Sequence, residues 1–106
     1  MMKSKKKAVN PYPIERVLKM IVGKWKTIIL WHLGTGKKRY GELKRLIPNT
    51  SEKMLIQSLR ALEKDGLVAR KVYPVIPPRV EYSLTRKSKS LTKILCSLDQ
   101  WGKKNA

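Results

Sequence analysis

Cysteine and histidine occur once each in this chain, as Cys96 and His32, and acidic residues number only seven. One thiol and one imidazole cannot assemble a four-ligand zinc site, and a lone cysteine has no partner for an intrachain disulfide. The acids are scattered singly, no glycine-rich phosphate loop follows a strand pattern, and neither Cys96 nor His32 has a recognisable catalytic partner. Catalysis is therefore the weakest function class, and no cofactor or metal is expected. Long apolar runs are missing too. The longest, Ile28 to Trp31, falls far short of the roughly 20 residues that cross a bilayer, and no apolar segment follows the basic start as a secretory signal requires. The expectation is a cytoplasmic protein with no membrane partner.

Positive charge, by contrast, is in excess. Lysine and arginine total 25 in 106 residues, giving a formal net charge of +18, far beyond what solubility needs. A polyanionic partner follows. Hydrophobic residues make up 42% of the chain and recur with regular periods, so the charge rides on a folded scaffold of one domain. The opening stretch to Lys7 carries four lysines; it reads either as an arm that touches phosphate or as solubilising charge. The division expected is a basic flexible arm over 1–12 and one folded domain over 13–104.

Pro13 suits the first position of a helix, where its missing N–H has no partner anyway. Ile14, Val17, Leu18 and Ile21 then form one amphipathic stripe until Gly23. Trp25, Ile28, Ile29, His32 and Leu33 repeat the pattern in a second helix, which also carries Leu30 and Trp31 and reads as the central core helix, with His32 a packed core histidine. Gly34 and Gly36 end it, and a basic link, Lys37, Lys38 and Arg39, leads to a third segment with Tyr40, Leu43, Leu46 and Ile47. Pro48 stops that segment. Asn49, Thr50 and Ser51 supply caps for a fourth helix with Leu55, Leu59 and Leu62 one turn apart, closed by Asp65-Gly66. From Leu67 the period changes to that of a β-hairpin: a valine-rich run to Val75, then Val80, Tyr82 and Leu84 alternating with Arg79, Glu81 and Ser83. Pro74, Pro77 and Pro78 cannot donate ladder hydrogen bonds and belong at its tip. Thr85 starts a last helix with Leu91, Ile94, Leu95, Leu98 and Trp101 along one side.

Two short helices joined by a turn and followed by a two-stranded ribbon have the order of a winged helix-turn-helix, an α+β fold that is mainly α, whose second helix enters the major groove. On the fourth helix the leucines claim one side, leaving Glu52, Lys53, Ile56, Gln57, Arg60 and Lys64 outward. Lys53, Arg60 and Lys64 suit phosphate or guanine edges, Gln57 suits adenine and Ile56 a thymine methyl, with Ser51 at the helix start; Glu52 would repel phosphate. An ordinary solvated helix surface is the plainer reading of the same face. Arg79, beside the proline-rich tip, reads either as a wing cation reaching a minor groove or flanking phosphate, or as a strand-end arginine paired with Glu81. Lys37, Lys38 and Arg39 are placed to contact backbone across the groove, or to form a solvated loop. Apolar stripes on the first and last helices exceed what a small domain can cover, which points to a homodimer through Ile14, Leu18, Leu91, Leu98 and Trp101; the alternative is packing within one subunit.

These segments resemble HxlR-type winged-helix transcriptional regulators, related in fold to the MarR group. The motifs are Pro-Ile-Glu-Arg-Val-Leu at 13–18, Gly-Lys-Trp-Lys at 23–26, Tyr-Gly-Glu-Leu-Lys-Arg at 40–45, the run from Ser51 to Val68, and Val-Tyr-Pro-Val-Ile-Pro-Pro-Arg-Val-Glu-Tyr-Ser-Leu-Thr at 72–85. The resemblance implies a homodimer bound to operator DNA, with the helix at 52–65 in the major groove and the ribbon as wing. Family members that sense oxidants commonly carry a cysteine just before the first of these prolines; here that position is Tyr12, which excludes a thiol switch at that site. Cys96 lies off the apolar stripe of the last helix and reads as a spare, partly exposed residue. No residue pattern names a small-molecule effector. The serious rival is a sequence-independent nucleic-acid-binding protein of nucleoid or RNA type, since +18 would hold any phosphate backbone.

Overall fold

A computed structural model describes residues 11–106; the lysine-rich opening of the expected arm lies outside the described residues. In chain order the elements are α1 (Pro13–Ile21), α2 (Lys26–Leu33), β1 (Lys38–Arg39), α3 (Tyr40–Leu46), α4 (Glu52–Lys64), β2 (Val68–Tyr73), β3 (Arg79–Leu84) and α5 (Arg86–Asn105). The fold is a mainly helical winged helix-turn-helix with a three-stranded antiparallel sheet in the order β1-β3-β2.

α4 is specified at both ends and along one face. The Ser51 hydroxyl accepts a hydrogen bond from the Met54 backbone N–H at 3.1 Å, satisfying one of the donors that a helix start leaves unpaired. At the other end Gly66, at φ +75°, lets the chain reverse: Gly66 N–H donates to Glu63 O and Leu67 N–H to Leu62 O. Any residue with a Cβ is disfavoured at that backbone conformation. Between these ends Leu55, Ser58, Leu59 and Leu62 are buried. The three leucines join Ile21, Ile29, Leu30, Leu33, Leu43, Ile47, Leu67, Val68, Tyr82 and Leu95 in a single core, with Met20, Trp25 and Leu91 packed against it.

β2 and β3 pair in the register Val68↔Leu84 to Tyr73↔Arg79, so the ribbon is shorter at its start and tip than the Leu67–Val75 run suggests. At its base, Ser88 is 1% exposed and donates to Leu67 O at 2.6 Å, while the Thr85 hydroxyl donates to Gly66 O at 2.7 Å. The start of α5 is thereby fastened to the turn between α4 and β2.

Two expectations need correction. The link at 37–39 is not simply a loop: Lys38 and Arg39 form an edge strand opposite Tyr82 and Glu81. In α2 the buried residues are Ile29, Leu30 and Leu33, whereas Ile28 and Trp31 are exposed and His32 is half-buried rather than a core residue. A helix apolar around most of its circumference carries no single stripe to set its rotation; packing against α3, α4, α5 and β3 decides it instead.

Leu59→Ala should lower the unfolding free energy by about 2–5 kcal/mol in urea denaturation. Gln57→Ala, on the opposite side of the same helix, should stay within about 0.5 kcal/mol. Equal costs would mean that α4 presents a different face to the core.

Candidate nucleic-acid interface

At 100° per residue, the buried leucines of α4 force Lys53, Gln57, Arg60 and Lys64 onto the diametrically opposite stripe, and all four are exposed. Ile56 sits to one side of that stripe and is half-buried. It lines a cleft of about 380 Å³ between α4 and the sheet, together with Tyr40, Glu52, Arg60, Glu63, Arg70 and Tyr82. Arg70 Nε lies 3.6 Å from Glu63 Oε1, tying the ribbon to the helix across the cleft. Burial, reinforced by the Glu52 carboxylate and Tyr82, pushes the Tyr40 phenol above its ordinary pKa, so it is a neutral donor. Its hydroxyl has no hydrogen-bond partner among the described residues.

The other basic residues are held to differing degrees. Lys37 Nζ lies 3.4 Å from Glu81 Oε1. Lys38 Nζ turns back to Thr35 Oγ1 at 2.9 Å and Gly36 O at 3.2 Å. Arg39 is exposed, and its backbone N–H donates to Glu42 Oε1 at 2.8 Å, capping α3. Arg79 does not reach out from the ribbon tip as a free wing cation would. Its guanidinium lies 4.3 Å from the centre of the Tyr73 ring, and its Nε is 3.6 Å from Glu81 Oε2. Tyr73 is its direct cross-strand neighbour, which is why the strand-end pairing takes hold. The residue that projects from the tip is Ile76, fully exposed beside a cis Ile76–Pro77 bond. Ser51, expected near the nucleic acid, is exposed at the start of α4, where its hydroxyl oxygen accepts the capping hydrogen bond and its O–H keeps its donor capacity.

Four residues outside the expected set join this surface: Arg70, Lys71, Tyr73 and Glu81. The alternation of β3 carried the signal for the last three, because Glu81 and Arg79 share a face with whatever pairs opposite them, namely Lys71 and Tyr73. The hairpin register was needed to read it.

Of the apolar candidates at the chain ends, Ile14 and Leu18 on α1 and Leu98 and Trp101 on α5 are exposed, while Leu91 is half-buried against the core of its own chain. Thr27, Ile28, Trp31, Leu95, Leu98 and Asp99 line a groove of about 340 Å³ between α2 and α5. Cys96 is exposed. Among the described residues no group of His, Cys, Asp and Glu could hold a metal ion, and no helix is long and apolar enough to cross a membrane.

Comparison with known proteins points the same way. The profile of the HxlR-like helix-turn-helix family matches residues 20–106. Over 89 residues the chain is 54% identical to the uncharacterized HTH-type transcriptional regulator YtcD of Bacillus subtilis, covering 84% of this chain and 71% of that protein. It is 57% identical over 83 residues to YkvN of the same organism, also described as an uncharacterized HTH-type transcriptional regulator, covering 78% and 70%. Among solved structures, the redox regulator HypR in its oxidized form superposes with a TM-score of 0.84 at 44% identity, covering 90% of this chain and 98% of that one.

The Ser51 hydroxyl caps α4. Ser51→Ala should cost about 0.5–2 kcal/mol of unfolding free energy, and Ser51→Asp, which keeps a capping oxygen, should restore most of it. A loss that aspartate does not repair would give the side chain another duty.

Proposed function

The chain belongs to the HxlR-like helix-turn-helix family; it is a transcriptional regulator with a helix-turn-helix DNA-binding fold and not an enzyme, and from that premise we propose that it acts as a homodimer on a pseudo-palindromic operator. α4 enters the major groove, and the ribbon at about 67–84 lies on the flanking backbone or minor groove. The observation that carries this reading is the exposed stripe Lys53, Gln57, Arg60 and Lys64, opposite the core leucines of one rigid helix. Its chemistry divides between positioning and reading. Lys53 and Lys64 neutralise phosphate, Arg60 matches a guanine edge, Gln57 an adenine edge, and Ile56 a thymine methyl. Lys37, Lys38, Arg39 and Arg79 add contacts to the backbone. Lys64 also lies in the last turn of α4, where a cation complements the helix dipole.

A second copy of the chain would cover the exposed Ile14, Leu18, Leu98 and Trp101, and with them the groove beside Ile28 and Trp31. Two-fold symmetry would then set the two reading helices about 34 Å apart, or a multiple of it, matching half-sites on one side of the duplex. The working compartment of such a regulator is the cytoplasm. The formal +18 favours a second reading, sequence-independent binding to nucleic acid. Selection of bound genomic fragments, followed by footprinting under excess random duplex, separates the two. A protected site that persists supports the regulator, and one that vanishes supports the sequence-blind binder.

Arg60→Ala should weaken operator binding by about 1–3 kcal/mol while changing random-duplex binding far less; equal losses on both would remove Arg60 from base reading. Leu98→Glu places a charge on the exposed α5 stripe and should convert the dimer to monomer in sedimentation equilibrium at micromolar concentration. An unchanged mass would move the interface elsewhere.

A further inference from the structure

The outer face of the ribbon holds an acid where a phosphate-binding surface would do best without one. Glu81 stands in the middle strand, with Arg39 its neighbour on β1 and Lys71 its neighbour on β2. Its carboxylate also contacts Lys37 at 3.4 Å and Arg79 at 3.6 Å, one oxygen to each. Two cations therefore contact one carboxylate, with Arg39 and Lys71 at the facing positions of the adjacent strands, and the patch remains cationic. The Tyr73 ring lies beneath two of these cations, with Lys71 Nζ 4.9 Å and the Arg79 guanidinium 4.3 Å from its centre.

Glu81 itself is well fixed, its side chain only 14% exposed against 65% for Lys37 and 36% for Arg79. Partial desolvation alone would raise its pKa. The neighbouring Tyr73 hydroxyl, together with Lys37 and Arg79, outweighs that effect and holds the carboxyl below its ordinary value. It is an anion at neutral pH.

A long basic side chain that is free in solution must give up rotamer freedom when it grips a phosphate, and one already fixed does not. We propose that Glu81 is a positioning residue for duplex binding, its carboxylate ordering Arg79 and Lys37 on the outer face of the ribbon before the duplex arrives. The inference rests on the duplex-binding reading above and assigns Glu81 no contact with the nucleic acid. Ordering of this kind favours a duplex whose phosphates fall where the cations wait. The negative charge meanwhile works against every duplex alike. Glu81 therefore exchanges general affinity for discrimination.

The test uses the full chain and Glu81→Gln, which keeps the shape and removes the charge. Binding is measured to the selected operator fragment and to a random duplex of equal length. The operator should bind about five- to tenfold more weakly as the ordering is lost. The random duplex should bind about two- to threefold more tightly as the repulsion disappears. Glu81→Asp, shorter but charged, should fall between, and thermal melting should move by no more than a few degrees. Tighter binding to both duplexes by one factor would leave Glu81 a mere repeller of phosphate and overturn the proposal; weaker binding to both, with a fall in melting temperature, would make it a structural residue and overturn it equally. A readout without DNA keeps the two levels apart. The heteronuclear NOE of the Arg79 Nε–H group should be high in the free wild-type protein and collapse in Glu81→Gln, and persistence in the variant would also overturn the proposal. If the wild-type chain fails to distinguish operator from random duplex, the regulator reading falls, while the Arg79 measurement still decides whether Glu81 orders the cation.

Discussion

The rotation of α4 about its own axis is the constraint from which the surface follows. Leu55, Leu59 and Leu62 are each no more than 1% exposed, and turning the helix by one residue would drive Ile56, Arg60 and Glu63 inward. Burying a guanidinium and a carboxylate without partners costs far more than any surface contact returns. The same three leucines therefore hold the core together and aim Lys53, Gln57, Arg60 and Lys64 outward. The Ser51 cap and the Gly66 reversal fix where that face begins and ends. Within α4, stability and presentation are one arrangement.

Scarcity of acid gives the remaining carboxylates identifiable duties. Glu15 and Glu52 lie in the first turns of α1 and α4, where the helix dipole favours negative charge. Glu42 caps α3, Asp65 stands at the C-terminal cap of α4, and Asp99 pairs with Lys103 one turn along α5. Glu63 and Glu81 are the two that act between elements, the first joining α4 to the ribbon and the second gathering cations on the ribbon's outer face. In a chain of +18, most of the negative charge stands at a helix start or beside a cation.

Much of this was legible without coordinates, and the reasons differ by element. α4 could be read because three leucines at single-turn spacing lie between a capping serine and an Asp-Gly closure, all local signals. The hairpin could be read from alternation and from prolines confined to its tip. β1 could not, because a two-residue strand has no period of its own and exists only through its pairing with β3. The rotation of α2 was hidden by excess, since Ile28, Ile29, Leu30 and Trp31 offer no polar contrast. Arg79 illustrates a third kind of limit. Its retreat onto Tyr73 depends on which residue lies directly across the ribbon, and a hairpin register shifted by one residue would have put Tyr73 on the other face. The paired alternative for Arg79 was visible in the sequence, but its tyrosine platform was not.

The clasp at the base of the ribbon has a mechanical side. Ser88 and Thr85 grip two consecutive carbonyls, those of Leu67 and Gly66, through short hydrogen bonds, at the point where α4 hands over to the sheet. The first turn of a 20-residue helix is thus welded to the root of the hairpin. With a rise of about 1.5 Å per residue, α5 runs roughly 30 Å away from the weld, and Leu95, near its middle, is anchored in the core. The long helix is a strut footed at the hairpin's root, and the base of the ribbon cannot part from it without giving up both hydrogen bonds.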